Sequence, residues 1–103
     1  ITGGLNVYPA EVEAALDDLE GVAASAVIGV PHPDFGEAVV ACLVPAPGAT
    51  LTEDAVRAGL RDRLAGFKIP KRVLVLPDLP RNAMGKVQKA ELRRSHAGLF
   101  SAG

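Results

Sequence analysis

Lys86 stands in the stretch PRNAMGKVQKAEL, from Pro80 to Leu92, directly behind Gly85 in a Pro-bounded loop, and a helical pattern restarts three residues later. A lysine present only for solubility needs no such frame, so Lys86 is the first candidate for chemistry. Gly3, Gly4, Leu5 and Asn6 form a second candidate, because consecutive glycines permit positive φ and let another molecule approach the backbone. A plain tight turn explains a bare Gly-Gly equally well. Neither G-x-G-x-x-G nor G-x-x-x-x-G-K-[ST] occurs, so spacing gives no dinucleotide fingerprint and no P-loop. His32 and His96 lie far apart and Cys42 is isolated, which leaves no zinc spacing. Ser25 and Ser95 lack the frame of a hydrolase nucleophile. His32, in VPHPDFG, reads as a surface or turn-bonding histidine, and no self-contained catalytic set is present.

The elements that must position these residues fit one domain of 103 residues. The opening ITGGLNVYP has no initiator Met and reads as a strand cut through, so the expectation is a piece of a longer protein. Composition is 49% hydrophobic and 22% charged with a net charge of −1, which does not point to nucleic acid. Basic residues gather toward the C-terminal half while Glu11, Glu13, Asp17, Asp18 and Glu20 make the first helix acidic, a face read as solvated. The asymmetry permits a phosphate-bearing partner without demanding one. Cys42, in the apolar run AVVACLVPA, reads as a buried thiol and fits a reducing, cytoplasmic compartment. No apolar run is long enough for a membrane span, and no secretory leader opens the chain.

Pro9 sits where a helix accepts proline, and Val12, Ala15, Leu16 and Leu19 recur at helical spacing before Gly21. VAASAVIGVPH and GEAVVACLVPA, joined by HPDFG, read as an antiparallel pair of strands. Thr52 can cap a second helix with Ala55, Val56 and Leu60 inward and Leu64 near its end, until Gly66 and Pro70 stop it. RVLVLP is a third strand, and a last helix runs from about Lys89 through Arg94. The fold class is α+β, a small, mostly antiparallel three-stranded sheet covered by helices over residues 1–95, with 96–103 as a flexible tail.

Four ordered stretches, GGLNVYPAEVEAAL, AVIGVPHPDFGEAVVACLV, LAGFKIPKRVLVLPDLP and PRNAMGKVQKAELR, resemble the C-terminal domain of AMP-forming acyl-CoA synthetases. The resemblance spans residues 1–95, and PRNAMGKVQKAEL looks most like the malonyl-CoA and methylmalonyl-CoA synthetase branch. It implies a two-step ligase in which ATP, with Mg2+, activates a carboxylic acid as the acyl-adenylate and CoA then displaces AMP. The resemblance also implies that the small domain rotates between the steps against a large N-terminal adenylating domain. That domain, with the hinge residue and nucleotide site, is expected upstream of Ile1, so this chain alone is expected to be inactive.

Lys86 matches the family's adenylation lysine, an ammonium placed where negative charge accumulates. The resemblance puts Gly3, Gly4, Leu5 and Asn6 along the pantetheine tunnel and lets Arg61, Phe67 and Lys68 meet the CoA nucleotide. Phe67 as a core residue and Lys68 as merely exposed remain an equal reading. Synthetases of this kind also resemble substrates of protein lysine acetyltransferases, which makes Lys86 a candidate modification site. A plain structural fragment is the third possibility.

Overall fold

The computed structural model describes residues 7–101, and Gly3, Gly4, Leu5 and Asn6 lie outside them. Among the described residues the order is α1 (Pro9–Asp17), β1 (Val22–His32), β2 (Gly36–Pro45), α2 (Glu53–Leu60), a 3-10 turn (Gly66–Lys68), β3 (Arg72–Val75) and α3 (Lys89–Ser95). The sheet runs β1-β2-β3, with β1 and β2 antiparallel and β2 and β3 parallel. The parallel pair needs a crossover, which α2 supplies.

Strand side chains alternate between faces, and here both faces are covered, so the strands read as almost unbroken apolar runs. Val27, Val39, Ala41 and Leu43 point to the α1 and α2 side, where they meet Val12, Leu16, Val56, Leu60 and Val73. Ala26, Ile28, Val30, Val40 and Cys42 point the other way, onto Leu79 and Leu92. Leu99 and Phe100, after the last helix, pack against this second cluster.

Pro9 takes the first turn of α1, where its missing N–H costs nothing. Thr52 caps α2, its Oγ1 accepting from Ala55 N–H at 3.2 Å. This helix ends at Leu60, short of the Gly66 limit expected from sequence. The Leu60 carbonyl accepts from both Arg63 and Leu64 N–H, at 3.0 and 2.9 Å. That turn still delivers Leu64 to the core, so its apolar spacing is real although the helix has stopped.

The acidic residues around the first helix are not simply a solvated face. Glu11 pairs with Lys68, Asp18 with Arg63 and Glu13 with Lys89, while Asp17 accepts from the Ser25 hydroxyl at 2.7 Å. Periodicity showed that these side chains face away from the core, but their partners come from distant segments.

Candidate functional site

Lys86 sits in a hairpin whose arms meet at an antiparallel bridge between Arg81 and Val87. Asn82 organises it: its Oδ1 accepts from Met84 N–H at 2.9 Å and from Lys86 N–H at 3.0 Å. The Asn82 backbone closes the loop, with its N–H donating to the Lys86 carbonyl at 3.0 Å and its carbonyl accepting from Gly85 N–H at 2.9 Å. Arg81 Nη1 donates to the Gly85 carbonyl at 2.8 Å, and Gln88 Nε2 to that of Lys86 at 3.0 Å. Gly85 has φ +83, a left-handed conformation that favours glycine. No atom lies within 4 Å of where its Cβ would be, so this glycine answers the backbone angle rather than crowding.

The frame therefore fixes the backbone and leaves the side chain outward. Lys86 is exposed, and its ammonium takes part in none of the four ion pairs among the described residues. Leu79 before the hairpin and Leu92 after it are both 3% exposed and seat its base on the second core cluster.

Phe67 and Lys68 lie together in the 3-10 turn, and Phe67 is 42% exposed. Lys68 Nζ lies 5.6 Å from the centre of the Phe67 ring and bonds both oxygens of Glu11, at 2.9 and 3.0 Å. A phosphate reaching Lys68 would compete with Glu11. Arg61 is the exposed C-cap of α2. Among the described residues no hydrogen bond or ion pair joins the Lys86 side chain to Arg61, Phe67 or Lys68.

Some organising residues escaped the sequence reading. Lys71 Nζ stands 4.7 Å from the centre of the Phe35 ring, which stacks on His32 at 4.5 Å, and His32 meets Phe100 at 4.9 Å. His32 Nδ1 accepts from Asp34 N–H at 3.0 Å, the turn-bonding role expected of it. Asn82 was likewise missed, since the N–H groups its side chain meets are set only by the closed loop.

Glu53 is the acid with the clearest electrostatic environment. Its Oε2 accepts from Val73 N–H at 2.6 Å and from Arg72 Nε at 2.8 Å. Burial pushes the carboxyl up, but those hydrogen bonds and the charges of Arg72 and Arg57 outweigh it and hold Glu53 below its ordinary value. Among the described residues no group of three or more His, Cys, Asp or Glu side chains could hold a metal ion, and no helix is long and apolar enough to cross a membrane.

The small α+β fold gives the class, and the chain belongs to the AMP-binding enzyme C-terminal domain family, which it matches over residues 11–86. It is 57% identical over 93 residues to a methyl-dioxo-octahydroindenyl-propanoyl:CoA ligase of Rhodococcus jostii, covering 90% of this chain and 18% of the ligase. Identity to the feruloyl-CoA synthase of an Amycolatopsis species is 51% over 94 residues, 91% of this chain and 19% of that protein. The ATP-bound crystal structure of MatB from Rhodopseudomonas palustris superposes with a TM-score of 0.94 at 53% identity, over 98% of this chain and 20% of MatB. The chain thus spans about a fifth of the length of the relatives it matches.

Proposed function

We propose that this chain is the C-terminal domain of an AMP-forming acid–CoA ligase and that Lys86 serves its adenylation step. The observation that carries the reading is the Lys86 hairpin, a hydrogen-bonded frame with an exposed ammonium, in a chain of this family. In the first half-reaction a carboxylate oxygen of the acid attacks the α-phosphorus of ATP, and the bond to pyrophosphate breaks. Lys86 places its charge where negative charge develops on the α-phosphate and the carboxylate, and it is most effective with water excluded by the large domain. The bonded backbone means that little ordering remains to be done when the hairpin enters the site. In the second half-reaction the CoA thiol attacks the acyl carbon and AMP leaves.

ATP, with Mg2+, CoA and a carboxylic acid are then the small-molecule partners, and the protein's own N-terminal adenylating domain is the macromolecular one. Gly3, Gly4, Leu5 and Asn6 would line the pantetheine tunnel, while Arg61, Phe67 and Lys68 would meet the CoA nucleotide. A cytoplasmic location suits the buried free thiol of Cys42. Malonate or a related short acid is the substrate favoured by the resemblance of Pro80–Leu92 to the malonyl-CoA branch. Relatives named for feruloyl and fused-ring propanoyl groups share the domain at 51% and 57% identity, so acid choice is assigned to the large domain.

Exposure of Lys86 at the hairpin also favours a second role, as a target for a protein lysine acetyltransferase. Acetylation would remove the charge on which the first reading depends.

The full-length protein, given an acid, ATP and CoA, should release AMP and pyrophosphate together with the thioester. Release of ADP and phosphate instead would overturn the assignment.

A further inference from the structure

The Lys86 hairpin is tied within itself, so its aim depends on how its base is fixed to the domain. Leu79 and Leu92 provide apolar seating, which is strong but non-directional. A charged tie is added by Lys89, the first residue of α3 and three residues beyond Lys86, whose Nζ pairs with Glu13 Oε2 on α1 at 2.7 Å. The same oxygen accepts from Val27 N–H on β1 at 2.8 Å. One carboxylate oxygen thus joins α1, the outer edge of β1 and the start of α3. The lysine side chain is 33% exposed and that of the glutamate 23%, so the pair is partly shielded from water.

We propose that Glu13, acting through Lys89, is a positioning residue that sets the aim of the Lys86 hairpin for adenylation. This rests on the proposed role of Lys86. Glu13 touches no reacting atom in this account; it holds the base of the hairpin whose returning arm carries Lys86. A small rotation at Lys89 is carried outward through the hairpin and the lysine stem, and misplacement of about 1 Å can cost up to a hundredfold in rate.

Glu13→Gln is a selective probe, because glutamine still offers an oxygen to Val27 N–H but removes the charge that holds Lys89. The test uses the full-length enzyme, with acyl-adenylate formation measured separately from thioester formation on supplied acyl-adenylate. Glu13→Gln and Lys89→Gln are each expected to lower kcat for adenylation about tenfold, with little change in KM for ATP or acid and little loss in the thioester step. The double variant should be no slower than either single one, because both changes break the same tie. Lys89→Arg, which keeps the charge, should retain adenylation. If Glu13→Gln fails to fold, the contrast between Lys89→Gln and Lys89→Arg decides.

Undiminished adenylation in the folded glutamine variants, equal loss in both half-reactions, or additive losses in the double variant would each overturn the proposal. Lys86→Ala in the same assay separates the two levels. Normal adenylation by that variant removes the role of Lys86 and this inference with it. A severe Lys86→Ala defect beside normal glutamine variants removes the inference alone.

Discussion

Asn82 shows how a single side chain can shape a loop. Its Oδ1 meets two backbone N–H groups of the loop, and its backbone meets Gly85 and Lys86. Asn82→Ala removes both side-chain bonds; water can replace part of them at this exposed position, so the cost is about 1 kcal/mol, confined to the hairpin. Amide hydrogen exchange should accelerate at Met84 and Lys86 while the urea midpoint of the domain barely moves, and unchanged protection there would contradict this role for Asn82. The turn at Gly85 and the exposure of Lys86 were legible in the sequence, because a glycine in a Pro-bounded polar loop is a local signal. Asn82 was not, because an asparagine declares its partners only after the loop has closed around it.

Both outer edges of the sheet use the same device. Among the described residues β1 and β3 are the edge strands, and each has a backbone N–H covered by a helix carboxylate, Val27 by Glu13 and Val73 by Glu53. Edge groups covered in this way are withdrawn from pairing with another chain. Glu53 carries a testable pH dependence, since its folded carboxyl lies below its ordinary value of 4.5. A lowered folded value means that the stabilisation is present above the unfolded pKa and is lost as pH falls through the folded one. Glu53→Gln should therefore reduce stability by about 1 kcal/mol near neutrality, and the gap to the unmodified chain should close as the solution is acidified below 4.5. Urea unfolding across that range measures it; a gap that persists into strong acid would assign the effect to packing. The strands and helices were readable from periodicity because apolar spacing is a local property. The edge bonds were not, since Glu53 meets a strand 20 residues away in sequence.

At the scale of the whole molecule, the sheet buries apolar residues on both faces, and Cys42 lies at its centre with no exposed surface. Burial pushes its thiol up to about 11, so near pH 8 almost none is thiolate. A thiol reagent at that pH should label Cys42 only as fast as the domain opens, and urea should accelerate labelling in step with unfolding. Rapid labelling of the folded chain would mean that the core opens locally at β2. The fold class was legible because a strand buried on both faces leaves an unbroken apolar run, as AVVACLV does. The site was legible only in part, because the chemistry proposed for it would be completed by a large domain whose residues this sequence does not include. The most direct test of the central claim is therefore made in the full-length enzyme, by timing the two half-reactions of Lys86→Ala. Acyl-adenylate formation should fall about a hundredfold or more, while thioester formation from supplied acyl-adenylate falls far less. Equal loss in both steps, or undiminished adenylation, would contradict the account.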